Sequence, residues 1–148
     1  MKRILGLDYG SKTVGAAATD ALGITVQPVE TIFRKEEKRL RRTLARIEAI
    51  CGELEIGEIV IGLPLNMDGT EGERAAKARE FGEKVGKRTG LPVNFEDERL
   101  TTLEADEILD RTGHAKADRK TVIDQLAAVL ILESWLSRKE KEHGKDQI

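Results

Sequence analysis

A single cysteine, Cys51, means that no disulfide can close within the chain, which fits a reducing compartment. Cys51 falls in a helical apolar stripe and reads as a packing residue. No apolar run approaches the ~18–20 residues of a membrane span, and Met1-Lys2-Arg3 leads straight into a strand. No signal peptide and no membrane partner are expected, and a cytoplasmic location is the default. Charge of one sign is not in excess: the net charge is -2 and the pI about 5.8. That argues against a protein coating nucleic acid through bulk charge. It leaves room for an enzyme that gathers acids around a metal and keeps its cations in local patches. Aromatic residues make up 3%, and Trp135, among apolar neighbours, reads as core rather than as a base-stacking platform. Repeats and low-complexity linkers are absent. With 148 residues, 39% apolar and 35% charged, one globular domain is expected over 1–139, with a charged, fraying tail over 140–148.

Three strands open the chain: Arg3 to Asp8, Thr13 to Thr19, and Ile24 to Phe33. The link Asp20-Ala21-Leu22-Gly23 is short and ends in glycine, as a hairpin loop does, so the start is an antiparallel meander. Leu40, Leu44, Ile47, Cys51 and Leu54 then recur at helical spacing, with Lys35, Lys38, Arg39, Arg41 and Arg42 on the outer face and Gly57 ending the unit. Glu58 to Gly62 is a strand parallel to the first, since a helical crossover separates them. After a glycine-rich loop, Thr70 with Glu73 matches a capping box opening a helix that runs to Thr89, before Gly90. Pro92 to Glu96 is a fifth strand. Thr101 with Glu104 caps another helix ending near Gly113, and Asp118 caps a last, deeply packed one from Arg119 to Lys139. The class is α/β: a five-stranded mixed sheet, three strands antiparallel and then two parallel, with helices on both faces. The ends of the first and fourth strands meet at the carboxyl edge, where such sheets place ligands.

Three acids stand where acid is not expected. Asp8 ends a buried strand beside Gly10, Glu98 follows the fifth strand, and Asp124 sits among Val122, Ile123, Leu126 and Ala127 in the last helix. Converging carboxylates repel one another unless protonated or bridged by cations, and hard oxygen ligands favour Mg²⁺ or Mn²⁺. Two such ions can activate a water and stabilise a leaving oxygen. Other roles stay open from spacing alone: a turn or cap for Asp8, a pair with Arg99 for Glu98, a structural salt bridge for Asp124.

Four segments in order carry a resemblance: Leu7-Asp8-Tyr9-Gly10-Ser11-Lys12-Thr13-Val14-Gly15, Ile61 to Thr70, Asp97 to Thr102, and Asp124 to Leu132. Together they resemble the YqgF (RuvX) family over about residues 2–138. That family is ribonuclease H-like and related to the resolvase RuvC. It was first described as resolving Holliday junctions and is now better regarded as processing the 5′ end of pre-16S rRNA. The resemblance implies a metal-dependent nuclease with Asp8, Glu98 and Asp124 as catalytic and metal-holding residues. Thr13 stands where the family usually has arginine. Lys12 and Arg99, beside the acids, are candidates for phosphate oxygens. Asn66 and Thr70 lie on the glycine-rich loop, where Thr70 opens a helix whose amino end favours anions. Arg119 and Lys120 belong to a basic cluster with Arg111 and Lys116 that can track a nucleic-acid backbone, while His114 reads as a loop residue rather than a base.

The expected partner is a structured nucleic acid, pre-rRNA or branched DNA, and branched DNA calls for a homodimer with two sites facing paired strands. Two other classes compete. An actin-like nucleotide-binding protein shares the Asp-x-Gly turn, but its clamp needs two such domains. A non-catalytic RNA-binding or transcription-associated factor predicts that Asp8→Asn leaves function intact in cells.

Overall fold

Alternation along the first strand sets two faces: Leu5, Leu7 and Tyr9 on one side, Ile4, Gly6 and Asp8 on the other. The structure is a computed structural model describing residues 2–98 and 116–146. Its sheet contains β1 (Arg3–Tyr9), β2 (Thr13–Thr19), β3 (Val26–Phe33), β4 (Ile56–Leu63) and β5 (Val93–Asp97). The spatial order is β3-β2-β1-β4-β5. Both β1–β2 and β2–β3 pair antiparallel, whereas β1–β4 and β4–β5 pair parallel. This is the mixed sheet expected from the sequence.

The α1 helix (Arg41–Glu53) and α2 helix (Glu73–Thr89) cover the Leu5 and Leu7 face. There Leu5, Leu7, Ile47, Ile50, Ile59, Ile61, Phe81 and Val85 are buried, and Cys51 packs among them, its thiol pushed up to about 11 chiefly by burial. Lys35, Lys38 and Arg39 precede α1 instead of lying on its outer face. Gly57 does not end the α1 unit. Glu55, at φ 55°, turns the chain in the left-handed region, and Gly57 lies inside β4 with the Lys2 side chain over it.

The opposite face belongs to α3 (Lys116–Asp146). Ile131, Leu132 and Trp135 pack there with Val60, Ile4 and Val26, so Trp135 is a core residue. This helix begins before Asp118, which therefore lies within it and is not a cap. It also continues past Lys139, where fraying was expected. Arg138 and Lys139 both pair with Glu142, at 3.2 and 3.4 Å, and such pairs support an exposed helical end. The helix expected between Thr101 and Gly113 lies outside the described residues.

Two anchors hold α3 across the sheet. On β3, Thr31 Oγ1 accepts from Gln125 Nε2 at 3.2 Å. On β5, the buried Glu96 accepts from Ser134 Oγ at 2.7 Å and from Arg138 Nη2 at 2.7 Å. Arg138→Ala leaves a buried carboxylate without its cation. Denaturant unfolding is expected to show a loss of about 1.5–3 kcal/mol.

Candidate active site

Glycine decides how closely the acids can approach. Asp8 is the last α3-facing residue of β1, and its partner on β2 is Gly15. On the other side Leu7 pairs with Ile61, so Gly62 flanks Asp8 on β4. A Cβ on Gly15 would stand 1.9 Å from the Asp124 carbonyl oxygen, and one on Gly62 would stand 2.6 Å from Glu98 Oε2. Gly6 continues this floor, where a Cβ would lie 3.1 Å from the Ala128 carbonyl oxygen. A missing side chain on each neighbouring strand thus admits the Asp124 backbone on one side of Asp8 and the Glu98 carboxylate on the other. Glu98 is tied to the same edge by its backbone N–H, which donates to the Leu63 carbonyl at 3.1 Å.

The electrostatics follow from this crowding. Asp8 and Glu98 share a side-chain hydrogen bond, so one proton serves two carboxylates. Burial is the main cause that pushes Asp8 up to about 6; the bond to Glu98 pulls it down and the nearby Asp124 charge pushes it up. Burial also leads in pushing Glu98 up to about 9, followed by the charge of Asp8 and the shared bond, with Arg74 opposing. The two carboxyls titrate as a pair, and both are pushed up.

Among the described residues, no three His, Cys, Asp or Glu side chains stand close enough together to enclose an ion. The donor chemistry nevertheless fits a hard divalent cation. All the donors are carboxylate oxygens, partly buried, with negative charge in excess.

The other residues singled out in the sequence are less closely gathered. Lys12 is exposed on the β1–β2 turn, its carbonyl accepting from Arg34 N at 2.8 Å. Thr13 is buried in β2 opposite Phe33. The cation at this turn comes from Arg34, whose Nη2 donates to the Gly10 carbonyl. Asn66 and Thr70 close a tight loop: Asn66 Nδ2 donates to Thr70 Oγ1 at 3.0 Å, and Thr70 Oγ1 to Asp68 Oδ1 at 2.6 Å. Thr70 is therefore not the cap of α2. Asp68 captures its hydroxyl and its N–H, so the helix starts later, with Gly72 at the cap position and no side-chain cap bond. Arg119 and Lys120 lie on the opening turns of α3, upstream of Asp124. Arg99 and His114 lie outside the described residues. One cluster escaped the sequence reading: Arg34, Glu37 and Arg74 gather around Tyr9.

A family model described as "RuvX: Holliday junction resolvase" matches residues 2–138. A Lachnospira eligens protein named "Putative pre-16S rRNA nuclease" is 59% identical over 139 residues, spanning 94% of this chain and 99% of its own. A Lactobacillus gasseri protein of the same name is 44% identical over 142 residues, with 95% and 99% covered. Among solved structures, Thermus thermophilus RuvC in complex with a Holliday junction substrate aligns over 93% of this chain and 96% of that one. Its TM-score is 0.53 at 13% identity, a likeness of fold alone. The match of motifs, fold and sequence runs over nearly the whole chain, and this protein belongs to the RuvX family.

Proposed function

We propose that this protein is a metal-dependent nuclease that hydrolyses phosphodiester bonds in structured RNA, processing the 5′ end of pre-16S rRNA in the cytoplasm. The observation that carries the reading is the Asp8–Glu98 carboxylate pair at the carboxyl edge, with the Asp124 charge acting on it. The names borne by the relatives from Lachnospira eligens and Lactobacillus gasseri support the substrate.

In this reading Asp8, Glu98 and Asp124 hold Mg²⁺ or Mn²⁺. A divalent cation, when bound there, makes water a better nucleophile at neutral pH and offsets charge on the phosphoryl oxygens. The Asp8–Glu98 pair must release its shared proton before all of its carboxylate oxygens can serve as ligands. Lys12, Arg99, Arg119 and Lys120 take phosphates of the bound strand. Asn66 and Thr70 keep the β4–α2 loop in one shape against it, since both side chains are engaged within that loop. The domain over 1–139 is the catalytic unit.

A second reading, resolution of branched DNA by a homodimer, is favoured by the description of the family model and by the fold likeness to RuvC. One experiment separates the two. Purified protein is incubated with an rRNA precursor and with a four-way DNA junction, in Mg²⁺ or Mn²⁺. Wild type is expected to cut the precursor on the 5′ side, and Asp8→Asn and Asp124→Asn to cut neither substrate. Cutting of the junction alone transfers the assignment to the second reading. Equal cutting by all three proteins removes the carboxylate mechanism.

A further inference from the structure

We propose that Arg74 binds a phosphate of the substrate strand at the carboxyl edge of the sheet, across that edge from Asp8 and Glu98, with Tyr9 and Glu37 as its positioning residues. This rests on the nuclease reading above.

Arg74 lies in the first turn of α2, and its guanidinium stands 5.7 Å over the ring of Tyr9, which follows Asp8 at the end of β1 and faces α2 where Asp8 faces α3. Its Nη1 donates to Glu37 Oε1 at 2.7 Å. Tyr9 is itself fixed, stacked on Phe81 at 4.4 Å, with its hydroxyl donating to the same Glu37 oxygen at 3.4 Å. Two contacts thus orient one guanidinium, and Glu37 takes one of its five N–H donors. The side chain remains 43% exposed. Half-exposed ion pairs add little stability, so stability does not account for this alignment. Phosphate binding does: a planar cation with open donors, already ordered, at the edge of an acidic centre that would otherwise repel the substrate. The same edge of the sheet carries both groups: Tyr9 is the last residue of β1, and Leu63, which ends β4 ahead of α2, accepts from the Glu98 N–H at 3.1 Å.

The surroundings extend the same chemistry. Lys77, one turn further along α2, pairs with Glu37 at 3.7 Å. It lines a cleft of about 280 Å³ that also holds Lys38 and Lys84, with Glu37 and Glu80 between them. A strand held at Arg74 therefore meets three ammonium groups against two carboxylates as it runs on along α2.

The test uses the full chain and an RNA spanning a 5′ precursor site. Binding is measured without Mg²⁺ over a range of salt, and cleavage with it. Arg74→Ala is expected to raise Kd and KM on the order of 10- to 100-fold, the scale of one charge-assisted bond. The slope of log Kd against log salt should fall by about 0.7–0.9, the share of one phosphate contact. Arg74→Lys should restore the slope and only part of the affinity. Glu37→Gln should raise KM while leaving kcat, the salt slope and Tm unchanged. Arg88→Ala, at the far end of α2 against Glu48, should match wild type. If wild type cleaves and Arg74→Ala keeps its KM and slope, the Arg74 assignment falls and the nuclease reading stands. A change confined to kcat and metal dependence also overturns it, because Arg74 would then act only on Glu98. A wild type that neither binds nor cleaves the RNA overturns both.

Discussion

Asp8→Asn is expected to abolish cleavage and, in the same protein, to raise the melting temperature of the metal-free fold. The two effects share a cause. Asp8 and Glu98 are held together in partial burial, with one proton between them and the Asp124 charge close by. An amide in place of the Asp8 carboxylate keeps the shape and can still bond to Glu98, but it removes one of the repelling charges. Cleavage should fall by roughly 10²–10³-fold or more, the scale of losing one preorganised charge in a site. Relief of the repulsion should raise Tm at pH 8, by about 2–4 °C for each kcal/mol relieved in a chain of this size. Thermal melts of both proteins in EDTA and cleavage assays in Mg²⁺ check the two halves separately. Lower activity together with lower Tm would mean that Asp8 serves the fold instead.

The pH dependence of stability has the same origin. Burial pushes the Glu98 carboxyl up to about 9 from an ordinary 4.5, and Asp8 up to about 6 from 3.8. Both acids hold protons more tightly when folded. Their contribution is therefore most favourable below about pH 4 and is lost progressively as pH rises through 6 and towards 9. A bound cation offsets that loss, since it binds the folded, deprotonated site.

Much of this site was legible in the sequence because its signals were violations of ordinary patterning. An acid at the end of a buried strand and an acid on an apolar helix each ask for a partner. The mixed sheet was legible for the opposite reason, since its strands and crossover helices obey their periods. The capping box at Thr70 and Glu73 failed because a nearer partner competes: Asp68 takes both the hydroxyl and the N–H of Thr70. The length of α3 was underestimated because its last turns lack apolar residues and are held by ion pairs to Glu142. The Tyr9, Glu37 and Arg74 cluster joins residues far apart in the chain, so no local spacing reveals it. Gly15 and Gly62 did carry a signal. Glycine within a strand marks close approach of backbone or ligand, and here both flank Asp8.

Gly15→Ala should therefore be more damaging than its single methyl group implies. The new Cβ would meet the Asp124 carbonyl oxygen at 1.9 Å and the carbonyl carbon at 2.3 Å. Both are helix backbone, which cannot swing aside as a side chain does. Ordinary contact is reached only if α3 lifts from β2, but Gln125 and Glu96 tie the helix to both edges of the sheet. The strain should cost about 1–3 kcal/mol in denaturant unfolding. Asp124 must move with its backbone, and a displacement near 1 Å at a reacting centre costs on the order of 10²-fold in rate. Gly52→Ala, on the exposed side of α1, is the control. An added Cβ there meets nothing within 4 Å. That variant should unfold no more easily than wild type and cleave at the same rate. Equal behaviour of the two variants would show that the close approach of α3 at Gly15 does not position Asp124.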